Sequence, residues 1–267
     1  MNLIHPMKSI EQPFDADPQK SYTMAARYYT DENIYQQEKA DIFWQSWVYI
    51  GHSSQLKDAG DYITANLHGQ EVMVVRDQEG QLGAFFNVCP HRGHQLLTGC
   101  GNTRAIVCPY HSWCFDQQGQ FLRGRNLQDL KDFSNHEFNL KPVNTEQFLG
   151  FIFVNLDPNA KPMTQIYEGL KQEIEHYVPQ IDQIERQYHA DYKVAANWKL
   201  LVDNFLECYH CNTAHKDFVD LVDMPSYQTK TYARYSSHIS HQPSKANSKA
   251  YQVQGEQSYG YAAWFMW

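Results

Sequence analysis

No stretch of this 267-residue sequence approaches the ~18 consecutive apolar residues that a helix needs to cross a bilayer. The first residues, MNLIHPMKSIEQPFDADP, also lack the apolar segment of a secretory signal, because polar residues and prolines interrupt them. Positive charge is in deficit: 22 Lys and Arg stand against 30 Asp and Glu, a formal net charge of −8. Without a basic tract the chain is a poor match for nucleic acid or an anionic membrane. Internal repeats and low-complexity segments are missing too. The expectation is a soluble, cytoplasmic protein with no nucleic-acid and no membrane partner. Its 14% aromatic content separates it from disordered chains and marks it as globular.

Cysteine is scarce: Cys89, Cys100, Cys108, Cys114, Cys208 and Cys211. Six could form three disulfides, but a large chain with no export signal favours metal binding or inert thiols.

Residues 1–20 read as a loose arm, broken by Pro6, Pro13 and Pro18. Thr30 or Asp31 is expected to cap a helix reaching about Ser46, with Ile34, Tyr35, Ile42 and Phe43 near one face. From Trp47 to about Asn155 the pattern becomes short β-like runs: WVYI, DYITANL, EVMVVR, GAFFNV, RAIVC and FLGFIFVNL. Asp77-Gln78-Glu79-Gly80 and Asp116-Gln117-Gln118-Gly119 are turn signals between them. Asp157-Pro158-Asn159 makes a boundary. Beyond it, Ile166, Leu170, Ile174 and Val178 predict a helix over 163–178. Alternation at Tyr188, Ala190, Tyr192 and Val194 predicts a strand. A second helix is expected from Asn197 to Cys211, burying Leu201, Phe205 and Leu206. Strands are expected over Tyr227–Ile239 and Tyr259–Trp267. The fold class is α+β, in three parts: an arm and helix (1–46) that packs with the last part, an all-β domain (47–155), and a helix-and-strand domain (156–267).

Two loops carry the first chemical signal. Residues 89–94 are Cys-Pro-His-Arg-Gly-His and residues 108–113 are Cys-Pro-Tyr-His-Ser-Trp. Each offers one thiolate and one imidazole: Cys89 and His91, then Cys108 and His111. Zinc accepts Cys2His2 tetrahedrally. A Rieske [2Fe–2S] cluster takes two Cys on one iron and two His on the other. Zinc fingers usually keep the Cys pair and the His pair separate, whereas here each loop mixes them, which favours the dinuclear cluster. Cys100 and Cys114 have no metal-spaced partner and are expected to be small buried or semi-buried thiols.

The second signal lies in NWKLLVDNFLECYHCNTAH, residues 197–215. Glu207 and His210, three apart, would share a helix face. His210 and His215 would sit ~140° apart on a continuous helix and could not grip one metal. A helix ending near His210, followed by a tight turn, would bring His215 back beside it. Two histidines and a carboxylate form the facial triad of a mononuclear non-heme Fe(II) site.

The segments CPHRGHQLL and CPYHSW resemble the cluster loops of Rieske-type non-heme iron oxygenases, the large α-subunit class. FFNVCPHRG, GFIFVNLDP and the 197–215 stretch are similar to the same family, so the likeness runs from about Tyr22 to Trp267. It implies a small all-β Rieske domain before an incomplete, helix-grip-like catalytic domain. It implies Cys89, His91, Cys108 and His111 as [2Fe–2S] ligands, and His210 and His215 as ligands of the mononuclear iron. Glu207 matches the acid that carries electrons from a neighbouring subunit's cluster. Asp203 and Asn204 are as easily ordinary helix residues as supports of the site. Glu at 207, where most ring hydroxylases have Asp, resembles the carnitine, glycine betaine and choline monooxygenase branch.

The implied activity is hydroxylation of a small substrate with O2, on a carbon next to nitrogen. Electrons would come from NAD(P)H through a flavin/iron–sulfur reductase, and the assembly would be a homotrimer. An aromatic box would suit the cationic head group; Tyr227, Tyr261 and Trp264 are possible members, with core packing the plainer role. Alternatives are an aromatic-ring dioxygenase, a Rieske electron carrier with a vestigial second domain, or a zinc-stabilised interaction protein. The third iron ligand is missing. After His215 the acids are Asp217, Asp220, Asp223 and Glu256, none in the family's context. The sequence is therefore expected to be C-terminally incomplete, or a truncated protein inactive alone, and its apolar end, Trp264-Phe265-Met266-Trp267, fits that expectation.

Overall fold

A computed structural model of the chain describes residues 17, 19–20, 22–127, 133–241 and 259–267. The arm expected over 1–20 lies almost wholly outside that range, as does Glu256. Helix α1 (Arg27–Thr30) leads into α2 (Glu32–Glu38). Asp31 caps α2, its carboxylate accepting from the Asn33 N–H at 2.8 Å. A π-helical turn over Lys39–Phe43 then ends the helical segment.

The strands that follow are β1 (Val48–His52), β2 (Asp61–Leu67), β3 (Gln70–Arg76), β4 (Leu82–Phe86), β5 (Cys100–Asn102), β6 (Ile106–Val107), β7 (Cys114–Phe115), β8 (Phe121–Arg123), β9 (Pro142–Phe148) and β10 (Phe151–Asn155). Among the described residues they form an antiparallel sheet of order β1-β10-β9-β4-β3-β2-β5 and a small sheet β6-β7-β8. The run Val72–Val75 in β3 is buried at every residue. Met73 and Val75 join one core with Phe85, Ile106 and Trp113, while Val72 and Val74 join another with Leu56, Ile63 and Ile152. A continuous apolar run thus marks a strand covered on both faces.

Turn chemistry sets the registers. The β2–β3 and β9–β10 loops are two residues long, and both residues of each have positive φ: His68 51° and Gly69 97°, Leu149 52° and Gly150 85°. That is the mirror-image turn whose twist matches a hairpin. The two Asp-led turns share another device. The Asp77 carboxylate accepts from Glu79 and Gln81 N–H, and the Asp116 carboxylate accepts from Gln118 and Gln120 N–H. The turns also hold each other, because Gln118 donates to Asp77 at 3.1 Å.

The second half departs from several expectations. The helix expected over 163–178 is split into α3 (Met163–Ile166) and α4 (Leu170–Tyr177) by Gly169, whose φ is 83°. A left-handed residue cannot continue a right-handed helix. The strand expected at Tyr188–Val194 does not form. Tyr188 and Tyr192 are 84% and 86% exposed, and no described strand pairs with the segment. Alternation specifies a strand only where a neighbour completes the hydrogen-bond ladder. Helix α5 (Trp198–Leu206) is capped by Asn197 and stops before Glu207. Leu201 and Phe205, expected to be buried, are 53% and 43% exposed.

Helices α6 (Cys211–Ala214) and α7 (Lys216–Leu221) come next. The long strand expected over Tyr227–Ile239 is a hairpin, β11 (Gln228–Thr231) and β12 (Tyr235–His241), joined by β13 (Tyr259–Met266) in a sheet of order β11-β12-β13. Trp47, Phe148 and Phe153 pack with Met163, Leu170 and Tyr235, tying the large sheet to this half. No helix among the described residues is long and apolar enough to cross a membrane.

Candidate metal centres

The two Cys-Pro loops are built alike. The Cys89 N–H donates to the His94 carbonyl at 2.8 Å, and the Cys108 N–H donates to the Trp113 carbonyl at 2.8 Å. Four residues after each cysteine, Gly93 and Ser112 donate back to the cysteine carbonyls at 2.9 Å. Both take positive φ, 72° and 61°. The strands flanking each loop hold it in place, so the two tips face each other. Cys89 and Cys108 are buried free thiols. The His91 and His111 rings lie 4.7 Å apart, and Trp113 stacks under His91 at 4.8 Å. Tyr110 covers His111 at 3.7 Å. Trp113 in turn meets Phe121 and Phe138 edge-on, so a rigid aromatic floor positions the imidazoles.

These residues fit a dinuclear cluster. His111 Nδ1 is buried and has no hydrogen-bond partner, and a bond to a metal would satisfy it. Burial, then the adjacent Cys108 thiol, pushes the Cys89 thiol up to about 11. A thiolate pair is stable there only beside a cation. Burial, then His111 and Arg92, lowers His91, which keeps its lone pair free to coordinate. A zinc site usually takes its Cys pair and its His pair from separate segments, whereas each loop here supplies one of each. A pair of thiols in contact and a pair of imidazoles in contact suit two irons.

At the second signal the helix ends earlier than expected. Glu207 is extended (φ −129°, ψ 145°), so it does not share a helix face with His210. The turn brings them together all the same: the Glu207 carboxylate lies 2.8 Å from His210 Nδ1 and accepts the Tyr209 N–H at 2.6 Å. Those hydrogen bonds, His210's first, hold the Glu207 carboxyl below its ordinary range. With Nδ1 held by Glu207, Nε2 carries the lone pair of His210 and lies 3.3 Å from the Asn204 amide nitrogen, which donates to it. One-turn helix α6 then separates His210 from His215, whose rings end 5.0 Å apart. Both line a cleft of about 270 Å³ with Asn204, Phe205, Phe218, Tyr227 and Tyr261. This pair fits two positions of a mononuclear iron site. Asp217, Asp220 and Asp223 add no third ligand, since no such group converges among the described residues.

Other expectations need correction. Cys208 and Cys211 are neither metal-bound nor inert thiols; they form a disulfide, because the turn sets their Cα atoms 5.0 Å apart. Cys114 is buried as expected, but Cys100 is exposed on a short edge strand. Trp264 takes the plainer role expected of it: it lies outside the cleft, packed against the core with its indole N–H donating to Glu173 at 3.3 Å. Asp203 accepts from the Tyr29 hydroxyl at 2.7 Å, across 174 residues of sequence. Trp113, within the CPYHSW motif, and Phe218, which carries no local signal, were not expected at the sites, and Phe205, expected in the buried face of a helix, lines the cleft instead.

A β-domain bearing paired Cys/His loops, joined to a helix-and-sheet domain with a histidine pair, defines a protein of two iron centres. Residues 46–134 match the Rieske [2Fe-2S] domain, and residues 181–265 match the catalytic domain of ring hydroxylating alpha subunits. The carnitine monooxygenase oxygenase subunit of Escherichia coli (strain K12) is 39% identical over 228 residues, 85% of this chain and 61% of the relative. A solved quaternary ammonium Rieske monooxygenase, described in terms of carnitine oxidation and inter-subunit electron transfer, superposes with a TM-score of 0.88 at 30% identity, covering 95% of this chain and 68% of that one. The complex of such an enzyme with L-carnitine gives a TM-score of 0.81 at 34% identity, covering 85% and 65%. The chain belongs to the Rieske-type non-heme iron oxygenases, whose two domains carry a [2Fe–2S] cluster and a mononuclear non-heme iron. It spans about three fifths of the length of the carnitine monooxygenase subunits it matches and about half that of the glycine betaine and choline monooxygenase relatives.

Proposed function

We propose that this chain belongs to the terminal oxygenase component of a monooxygenase that hydroxylates a quaternary ammonium compound next to nitrogen. Hydroxylation there gives a hemiaminal that collapses with C–N cleavage. The electrons come from NAD(P)H through a flavin/iron–sulfur reductase, in the cytoplasm. When bound, the cluster supplies one-electron transfer and the non-heme iron supplies O2 activation. Residues 47–155 form the cluster domain; residues 156–267, with the arm and helix of 1–46, belong to the catalytic domain. Cys89 and Cys108 would hold one iron of the cluster, His91 and His111 the other, and His210 and His215 the mononuclear iron.

Glu207 orients His210 and fixes its tautomer. Its side chain is 52% exposed, which leaves it open to a cluster histidine of a neighbouring subunit in a homotrimer. The cleft beside the histidines is walled by Phe205, Phe218, Tyr227 and Tyr261. Ring faces attract a quaternary ammonium group, which has no N–H to donate.

The observation that carries this reading is the hydrogen bond of Glu207 to His210 beside that cleft, since a simple electron carrier has no use for it. The test is to reconstitute the protein anaerobically, count iron and sulfide, and add reductase, NADH and L-carnitine or glycine betaine. Formation of the dealkylated or cleaved amine supports the reading. Oxidation of an aromatic hydrocarbon but of neither betaine refutes it. The electron-carrier alternative draws on the lack of a third converging carboxylate among the described residues. It requires two irons per chain and no iron at His210 and His215.

A further inference from the structure

The aromatic wall of the cleft has a polar group behind it. His238, in β12, is 1% exposed. Its Nδ1 lies 2.8 Å from the Tyr227 hydroxyl and 3.4 Å from the Thr229 hydroxyl, and its Nε2 lies 3.3 Å from the Ser236 hydroxyl. No charged side chain is among these partners, and burial lowers its basicity, so the imidazole stays neutral. A buried neutral imidazole costs desolvation and is retained where its hydrogen bonds are used. Here the shortest of them goes to Tyr227.

Tyr227 is itself part of a fixed aromatic set. It stacks on Tyr261 at 6.3 Å and 21°, Phe218 meets the two rings edge-on at 6.4 and 5.0 Å, and Phe205 lies 5.5 Å from the imidazole. With its hydroxyl engaged by His238, Tyr227 offers the cleft a ring and keeps its phenol oxygen out of reach.

Resting on the quaternary ammonium reading above, we propose that His238 is a positioning residue for specificity: it draws the Tyr227 hydroxyl behind the wall, so that the cleft accepts a quaternary ammonium group and rejects a protonated tertiary amine. The asymmetry is chemical. A protonated tertiary amine carries an N–H that must find an acceptor; the acceptors lining the cleft, Glu207 and Asn204, are gathered at His210, and the ring faces opposite leave an N–H turned toward them unpaired. A quaternary ammonium has no such N–H and loses nothing on entering. If the Tyr227 hydroxyl swung into the cleft, it would supply the missing acceptor and the distinction would weaken.

The test compares binding of choline and of protonated N,N-dimethylethanolamine to the intact protein by titration calorimetry. The unsubstituted protein should prefer choline by roughly tenfold or more. His238→Leu should cut that preference to about threefold or less, chiefly by tightening the tertiary amine. His238→Gln, which keeps an acceptor for the phenol, should restore it, and in a Tyr227→Phe background His238→Leu should leave the preference as it finds it. Should the Leu variant not fold, His238→Met is read in its place. An unchanged preference in His238→Leu, or an effect that survives in Tyr227→Phe, overturns the role of His238 alone. Failure of the unsubstituted protein to bind choline overturns the substrate reading and this inference with it.

Discussion

Replacing Glu38 by alanine should destabilise the second half of the protein far more than loss of an ordinary surface charge. Glu38 and Lys199 form an ion pair at 2.6 Å, with side chains only 11% and 8% exposed. The other Glu38 oxygen accepts from the Trp198 indole N–H at 2.9 Å. The Lys199 ammonium otherwise faces rings, 5.1 Å from Trp198 and 5.8 Å from Tyr29. Removing the carboxylate leaves a buried cation without a counter-charge, at a cost of about 3–5 kcal/mol. The orphaned indole N–H adds about 1 kcal/mol. Together these come to about 4–6 kcal/mol, which lowers the folded-to-unfolded ratio by about a thousandfold or more. Guanidinium unfolding followed by tryptophan emission measures it. Glu38→Leu combined with Lys199→Met should cost less than half as much, since removing both charges leaves apolar groups with no desolvated ion. If Glu38→Ala proves as mild as breaking the exposed Lys57–Glu185 pair, the pair does not anchor α5 and the reasoning fails.

Cys89→Ser and Cys108→Ser should each yield colourless protein without acid-labile sulfide, because a hydroxyl does not replace a buried thiolate at a cluster iron; a Rieske EPR signal from reduced Cys89→Ser would contradict the ligand assignment. Gly119→Ala should cost about 2–4 kcal/mol, because φ is 76° there and the new Cβ would lie 2.5 Å from the Phe85 ring; an unchanged melting temperature would show that the Asp116 turn can shift freely. Burial is the first cause that lowers the basicity of His52, His68 and His238 below the ordinary value of 6.5. The unfolded chain therefore binds protons that the folded chain does not, and stability should be full above about pH 6.5 and decline as pH falls below it. Urea midpoints from about pH 7.5 down to about pH 5 should show this, with a shallower slope in His52→Gln; a flat profile in the unsubstituted protein would count against it.

How far the fold could be read from the sequence depended on range. The Asp77 and Asp116 turns announce themselves within five residues, because each carboxylate captures N–H groups two and four positions ahead. The strand character of β3 is plain for the same reason: its apolar run needs no distant information. The expected helix over 163–178 failed on one residue, Gly169, whose left-handed backbone outweighed an apolar stripe that continues on both sides of it. The expected strand at Tyr188–Val194 failed because half-burial by alternation requires a partner strand. Glu207 and His210 do meet, through a turn that periodicity could not foresee.

Composition and local spacing were enough for the all-β first domain, the matched Cys89/His91 and Cys108/His111 loops, and the helix that leads to His210 and His215. These are short-range properties, set by turn geometry, side-chain period and ligand type, and they survive in a linear reading. Only the tertiary structure brought Glu38 to Lys199 across 161 residues, Tyr29 to Asp203 across 174, and His238 behind the ring of Tyr227. Those contacts depend on how buried surfaces close on one another, and a buried charge or imidazole is tolerated only once its particular partner has arrived.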